Sequence, residues 1–247
     1  MLKPLAFTAT AAILIGCAVK TPTVREDIAP ILLETAEVEA EFPEYHPAET
    51  KVNNLKHTRL DVSFDWEKHH LIGKATLDLA PYFYATNRLQ LDAKGFDIHK
   101  VALSTDSGLF DLEFDYDNRV LDITLDKTYS RIETYQVVVE YTAKPDELPI
   151  GGSDAITSDK GLYFINSDST DTDKPTQIWT QGQTESSSCW FPTIDSPNER
   201  TTQEMFISVD DKYKTLSNGE LIYSNFNADG TRTDYWQMDQ DHPPYLF

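Results

Sequence analysis

The chain alternates apolar and polar side chains with a period of two from residue 60 onward. The apolar positions Leu60, Val62, Phe64 and Trp66 are each separated by one polar residue. Because successive side chains of a strand point to opposite faces, this pattern predicts a strand with one buried face. The run EKHHLIG then supplies a turn, and the alternation returns over 74–79, which predicts an antiparallel hairpin.

The same alternation recurs along the rest of the chain, and no convincing amphipathic helix interrupts it. Two sheet-forming halves, 55–145 and 200–247, are therefore expected on either side of a loop-rich region that holds one apolar piece at 161–165. Many short strands with polar turns favour an all-β fold, a mostly antiparallel sandwich or curved sheet. The further predicted strands are RLQLDA (88–93), HKVALS (99–104), FDLEFDYD (110–117), VLDITL (120–125), YQVVVEYT (135–142), QEMFISVDD, GELIYSN and TDYWQMD.

The segment TQGQTESSSCWFPTIDSPNER, residues 180–200, has neither the alternation of a strand nor the spacing of a helix. Its Gln and Thr side chains are neutral donors and acceptors, suited to holding a ligand and poorly suited to acid or base catalysis. We expect Trp190 and Phe191 to pack the loop, and the Asp195 carboxylate to close a turn. By residue chemistry alone, the chain is predicted to be a binding or scaffolding β-domain.

The N-terminus has the outline of a bacterial lipoprotein signal peptide over residues 1–17. One Lys precedes an apolar run from Leu5 to Ile15, and the final residues LIGC resemble a lipobox, in which Cys17 would carry the lipid. The alternative is an ordinary signal peptide with an incidental Cys. The acidic, Pro-punctuated stretch 18–54 is predicted to be a flexible tether, and 55–247 the folded domain. The protein is thus expected to be exported and anchored to a membrane, facing the periplasm or the cell surface.

Composition and charge restrict the partners. The chain of 247 residues is 40% hydrophobic and 11% aromatic, enough to bury a core, and its formal net charge is −20. Such a balance excludes a basic nucleic-acid-binding surface and favours solubility.

The sequence gives little support for a metal site or for a catalytic nucleophile. The six His residues are scattered or adjacent, and no H-E-x-x-H motif occurs, so no metal site is predicted in this chain. Residues 168–173 are acidic but lack the Gly and Glu of a calcium-binding EF-hand loop, which favours a solvated loop. Cys189 is expected to be a buried, unreactive thiol.

The order of several motifs resembles the N-terminal domain of the M1 (gluzincin) zinc aminopeptidases. No single motif is decisive, and the resemblance rests on their fixed order over about 55–247. The matching pieces are DVSFDWEKHHLIGKATLDL, LQLDAKGFDI, GLYF, TQGQTESSSCWFPTIDSPNERTT, FISVDDKYKTLSNGEL and HPPYLF.

The resemblance implies a saddle-shaped, mostly antiparallel β-domain that caps a zinc-containing catalytic domain. Gln183 matches a residue whose side-chain oxygen receives the α-ammonium group of a peptide substrate, and Gln181 matches a residue lining the pocket for the first side chain. Many members carry Glu at the position of Gln183, whereas Gln occurs in the leukotriene-hydrolase branch. The implied partners are peptides and the protein's own downstream catalytic domain.

The family's zinc ligands and general base lie downstream of the matching region. The chain is therefore expected to be part of a longer zinc aminopeptidase, inactive by itself. The alternative is a non-catalytic module with the same fold that binds peptides or a partner protein.

Overall fold

The domain is built almost entirely from β-strands. The computed structural model describes residues 50–149, 151 and 158–247, so the predicted signal peptide, Cys17 and most of the predicted tether lie outside the described residues. No α-helix occurs in the described part. Accordingly, no helix there is long and apolar enough to cross a membrane. The all-β prediction is confirmed.

The described part contains thirteen strands and three short 3-10 helices. The helices are Pro145–Glu147, Ser187–Cys189 and Pro244–Leu246. The strands are β1 (Asn53–Asp65), β2 (His70–Pro81), β3 (Thr86–Asp92), β4 (Phe96–Thr105), β5 (Gly108–Asp111), β6 (Glu113–Tyr116), β7 (Val120–Tyr129), β8 (Tyr135–Ala143), β9 (Leu162–Ile165), β10 (Gln177–Thr180), β11 (Thr201–Asp210), β12 (Glu220–Phe226) and β13 (Thr231–His242).

The strands form one large sheet and two small ones. The eight-stranded sheet has the order β12-β13-β11-β1-β2-β8-β4-β5, the three-stranded sheet the order β3-β7-β6, and β9 pairs with β10. Neighbouring strands are antiparallel throughout, with one exception: β1 and β11 are parallel, from His57 opposite Thr202 to Val62 opposite Ile207. The predicted hairpin is confirmed as β1 and β2, with Phe64 opposite Leu71 near the turn.

The core lies between the large sheet and the three-stranded sheet. Leu60 and Val62 of β1 are buried as their alternation predicts, and they belong to one apolar cluster with Leu89 of β3 and Ile123 of β7. The irregular segment after β10 contributes Trp190 and Phe191 to the same cluster, which confirms the packing role predicted for them.

One feature of the predicted topology is wrong. The stretch 110–117 is not one strand, because Leu112 separates β5 from β6, and these belong to different sheets. The predicted halves 55–145 and 200–247 share the large sheet, because β11 pairs with β1. Alternation identifies the buried face of a strand but not its neighbour, so neither result could be read from the pattern. Strand β10 was not predicted.

Two buried tyrosines on β8 differ in how their hydroxyl groups are bonded. The Tyr135 hydroxyl donates to Asn53 Oδ1 at 2.7 Å, in a buried bond between β8 and β1. The Tyr141 ring stacks on Phe96, but its hydroxyl has no hydrogen-bond partner among the described residues. A buried hydroxyl without a hydrogen-bond partner costs free energy. Removing the hydroxyl oxygen should therefore change the stability differently at the two tyrosine positions.

We expect Tyr135→Phe to lower the free energy of unfolding by about 1–2 kcal/mol, because it leaves a buried Asn53 acceptor unpaired. Tyr141→Phe removes only an unpaired group, and the same measurement should show no loss or a gain of up to about 1 kcal/mol. Urea denaturation followed by tryptophan fluorescence measures both. Equal losses in the two variants would contradict the difference in bonding.

Candidate functional site

The predicted ligand-holding segment follows strand β10, and hydrogen bonds hold both ends of its first turn. The main-chain N–H of Gln181 donates to the carbonyl of Gly161 at 2.9 Å, and that of Ser186 donates to the carbonyl of Gly182 at 2.9 Å. The hydroxyl of Thr180 donates to the main-chain oxygen of Phe247 at 2.9 Å. The path of residues 181–186 is therefore fixed by main-chain contacts.

Gly161 allows a close approach that other residues would prevent. Its φ is +73°, a backbone conformation that side chains disfavour, and a Cβ at this position would lie 1.9 Å from the carbonyl oxygen of Ser186. Glycine thus lets β9 and the loop pack directly backbone against backbone.

The two predicted binding residues lie side by side on this loop. Gln181 Nε2 donates to Gln183 Oε1 at 2.9 Å, and both residues border one groove. Gln181 is half-buried and Gln183 is exposed. Since an amide oxygen has two lone pairs, Gln183 Oε1 can accept a second donor from a ligand while keeping its bond to Gln181.

The groove beside these amides has a volume of about 890 Å³ and mostly apolar walls. Its floor comes from inward-facing residues of the parallel pair β1 and β11, including Phe64 and Ile207. The Trp66 ring stacks on Tyr213 with centroids 4.9 Å apart at one wall. On the other wall the Trp179 ring stacks on Tyr163 of β9, and 44% of the Trp179 surface is exposed. An extended apolar ligand with a polar end would fit this arrangement.

The buried carboxylate of Asp195 holds the loop in place through hydrogen bonds. Asp195 Oδ2 accepts from the N–H of Ser188 at 2.9 Å and from the Ser188 hydroxyl at 2.7 Å, which confirms its predicted turn-closing role. The N–H of Asp195 in turn donates to Asp92 Oδ2 at 2.9 Å, and the main chains of Asp92 and Thr193 form a bridge. Burial raises the pKa of the Asp195 carboxyl to about 6, despite its bonds to Ser188.

Cys189 has the properties of a structural thiol. It is 3% exposed, and burial raises its pKa to about 12. Its Sγ lies 3.2 Å from the carbonyl oxygen of Asp159. A thiol that stays protonated is a poor nucleophile, so the predicted inert role agrees with the structure.

A second cluster has the order of groups found in Ser-His-Asp triads. Ser167 Oγ lies 2.6 Å from His69 Nε2, and His69 Nδ1 lies 2.6 Å from Asp146 Oδ2. Neither the groove nor a second surface cavity of about 510 Å³ is lined by these residues. Asp146 also accepts from Lys160, and one face of the imidazole is covered by Phe164. We interpret the cluster as a structural contact that holds the β1–β2 turn against the β9–β10 loop.

The predicted acidic loop at 168–173 closes its own turns. Asp168 Oδ1 accepts from the N–H and hydroxyl of Thr170, and Asp171 Oδ1 accepts from the N–H of Asp173. In the described part of the chain, no group of three or more His, Cys, Asp or Glu side chains could hold a metal ion. These residues therefore do not fit a zinc site.

Sequence reasoning found the two amides but missed the aromatic walls. Trp66 could have been recognised from its place in the alternation, whereas Tyr213 lies in a loop and Trp179 in a strand too short to show a period. Their contribution becomes visible only when the chain is folded. Cys17 lies outside the described residues, and its role stays a prediction.

Comparison with known proteins identifies the domain. The sequence matches the Peptidase M1 N-terminal domain over residues 49–246. No curated protein sequence matches it.

Solved structures of M1 zinc metallopeptidases share the fold. A mutant two-domain enzyme bound to L-arginine has a TM-score of 0.66 at 15% identity, covering 79% of this chain and 41% of its own. The M1 zinc metallopeptidase from Deinococcus radiodurans has a TM-score of 0.64 at 17% identity, with the same coverage. A mutant from that organism bound to a Tyr-Ser-Ala substrate has a TM-score of 0.63 at 16% identity, covering 78% and 41%. The chain thus spans about two fifths of the length of these structures, and the likeness shows the fold alone.

The close contact at Gly161 can be tested by substitution. Gly161→Ala should lower the free energy of unfolding by more than about 3 kcal/mol, since the new Cβ meets main-chain oxygen. Gly230→Ala is the matched control, because Gly230 also has positive φ (+87°) but nothing lies within 4 Å of where its Cβ would be. That variant should lose only the conformational cost, about 1–2 kcal/mol. Similar losses in the two variants would contradict the tight packing of β9 against the loop.

The buried Asp195 predicts a pH dependence of stability. Its pKa is raised from 3.8 to about 6 by burial, so the folded protein holds this proton more tightly than the unfolded chain does. The free energy of unfolding should therefore fall as pH rises from about 4 to about 6, by roughly 3 kcal/mol, and this contribution should stay constant above that window.

The comparison variant is Asp195→Asn, which keeps an oxygen acceptor for Ser188 but cannot ionise. Urea denaturation of both proteins across this pH range isolates the effect, because every other titrating group is shared. If the difference in stability between the two proteins did not change with pH, Asp195 would not be the buried acid described.

Proposed function

This chain belongs to the M1 peptidase family, of which it carries the N-terminal domain, and from that premise we propose that it is the substrate-capping part of a zinc-dependent aminopeptidase. The complete protein would release N-terminal amino acids from peptides. The observation that carries the proposal is the bonded pair Gln181 and Gln183 at the lip of an apolar, aromatic-walled groove.

The chemistry of the pair suits the recognition of a peptide N-terminus. An ammonium group has three donors and no acceptor, so oxygen atoms must surround it. Gln183 Oε1 has one lone pair left after its bond to Gln181, and the bond fixes the direction of that oxygen. Holding the N-terminus at a defined point places the first peptide bond at a defined distance, which is how an exopeptidase selects one residue.

The reacting centre would lie outside the described residues. None of their side-chain groups could hold zinc, so the metal and the groups that act on the peptide bond would belong to a downstream catalytic domain. This chain's contribution would be to bind and orient the peptide. The share of the M1 structures that the chain covers, 41%, leaves room for such a domain.

We also propose that the protein is exported and held at a bacterial membrane by lipid on Cys17. The support is the sequence alone: the apolar run Leu5 to Ile15 followed by LIGC. The anchor would keep the domain next to the membrane, facing the periplasm or the cell surface.

The proposed role of Gln183 is tested in the complete gene product with amino-acyl reporter substrates. Gln183→Ala should lower kcat/KM about tenfold to a hundredfold, because a hydrogen bond to a charged group contributes about 1.5–3 kcal/mol. Gln183→Glu should raise kcat/KM, since a carboxylate attracts an ammonium more strongly than an amide does.

Gln240→Ala is the matched control, an exposed Gln on β13 that does not line the groove. Its kinetics should match those of the unchanged protein. Equal kinetics of Gln183→Ala and Gln240→Ala would remove the assigned role. A complete product without bound zinc and without aminopeptidase activity would instead favour the non-catalytic peptide-binding module.

A further inference from the structure

Two neighbouring loops at one end of the domain expose four large apolar side chains. Tyr82, Phe83 and Tyr84, between β2 and β3, are 55%, 58% and 80% exposed, and Ile132, between β7 and β8, is 88% exposed. We call this group the aromatic tip. Soluble domains seldom leave contiguous apolar groups of this kind uncovered unless they bind something.

Contacts hold the two loops together. The Arg131 guanidinium lies 5.8 Å from the centre of the Phe83 ring, and Phe83 meets Tyr84 edge to face at 4.9 Å. Lys51 lies 5.0 Å from the centre of the Tyr82 ring. The aromatic tip therefore combines apolar side chains, phenol groups and cations, the combination that proteins place at membrane interfaces.

Arg131 is the cation of the tip that has no acidic partner among the described residues. Lys51 is bound to Glu199 at 2.9 Å, whereas no carboxylate in the described part pairs with Arg131, although the formal net charge of the chain is −20. The neighbouring acid, Glu133, is bound to Lys127 at 2.8 Å. A cation at the tip can therefore approach lipid phosphate groups, although the acidic protein as a whole would be repelled by a strongly anionic surface.

The N-terminal segment joins the domain at this same end. The main-chain N–H of Tyr82 donates to the carbonyl of Val52 at 2.8 Å, so the first described residues lie against the tip. Cys17, the predicted lipid site, precedes residue 50 by 33 positions in the sequence. The attachment point of the tether and the exposed apolar group thus share one end of the domain.

We propose that the aromatic tip inserts into the interface of a zwitterionic phospholipid bilayer, to which Cys17 attaches the chain. Phe83 and Ile132 would enter the boundary of the acyl chains, while the Tyr hydroxyls and Arg131 stay among the headgroups. The inserted tip would add a second contact to the lipid on Cys17 and so hold the domain more firmly at the bilayer surface. The proposal rests on the lipid anchor proposed above and is independent of peptidase activity.

The test measures depth in the bilayer, using the lipidated full chain. Tyr84→Cys is labelled with an environment-sensitive fluorophore; Cys189 is buried and should stay unlabelled. Vesicles of phosphatidylcholine and phosphatidylethanolamine are prepared with and without brominated acyl chains. Leu216→Cys is the matched control, since Leu216 is 86% exposed in a different loop. Bromine should quench the label at position 84 at least about twofold more than the label at position 216.

A second measurement removes the apolar side chains. Phe83→Ser combined with Ile132→Ser should speed dissociation of the lipidated chain from vesicles about tenfold or more, whereas Leu216→Ser should leave the rate unchanged. All three positions are exposed, so the fold should persist, and urea denaturation checks this.

The other outcomes overturn the proposal in distinguishable ways. A chain that binds vesicles with equal quenching at both labels has its anchor but no inserted tip. A chain that does not bind vesicles lacks the anchor on which the proposal depends. An emission shift of the label at position 84 that grows with protein concentration in the absence of vesicles would identify a second copy as the occupant. A label at position 84 already shielded without vesicles would identify another segment of the protein. Activity on amino-acyl reporters should be the same in all the tip variants, so these failures do not bear on the peptidase proposal.

Discussion

The parallel pairing of β1 with β11 is the contact on which the rest of the domain depends. It joins two strands that are more than a hundred residues apart in the chain, in register from His57 with Thr202 to Val62 with Ile207. Parallel strands cannot be joined by a hairpin and need a long connection. Here the connection contains the two small sheets and the loop with the candidate site. Buried polar contacts fix the end of the pair, with the Thr58 and Thr201 hydroxyls 3.1 Å apart.

The candidate site follows from this topology. The chain between β10 and β11 crosses the core before β11 pairs with β1, since Trp190 and Phe191 belong to the same apolar cluster as Leu60. Glu199 ends that crossing: its Oε1 accepts from the N–H of Leu55 at 3.0 Å and from Lys51 at 2.9 Å. The parallel pair is the floor of the groove, and the crossing segment carries Gln181 and Gln183 at its lip. A change in the pairing would displace floor and lip together.

The sequence contains most of the local structure of the domain and little of its arrangement. Alternation identified β1, β2 and most of the later strands because these have a buried face, as Leu60 and Val62 show. Strand β12 was predicted from the same pattern, yet it is exposed along its whole length. It missed β10, which is four residues long, and it joined β5 to β6 because alternation continues through Leu112. The parallel pairing leaves no local signal, since period two is the same for either neighbour.

The candidate site, like the fold, could be predicted only in part from the sequence. Residue chemistry indicated only that neutral amides in an irregular loop could hold a ligand, and the resemblance to a family supplied the specific roles that are proposed for Gln181 and Gln183. The aromatic walls could be identified only from the folded structure. Trp66 and Tyr213 are far apart in the chain and meet only when the loop after β11 returns to β1. Local patterns predict strands and buried faces, whereas sites built from distant segments depend on pairing.

The lack of carboxylates among the described residues that line the groove has a consequence for how the groove would recognise a cationic N-terminus. No carboxylate lines the groove in the described part of the chain, and the charged side chains that do are Lys212 and Lys214. The net charge of −20 can attract a cation from a distance, but salt screens such attraction beyond about 8–10 Å. Within the described residues, the proposed binding at the lip would then depend on oriented amide oxygens. Because an amide does not titrate, the pH dependence of recognition would follow the ligand's own α-amino group, whose pKa is about 7.7–8.0. A carboxylate at position 183 would bind the same group more tightly and would add a second titration, at lower pH, to that dependence.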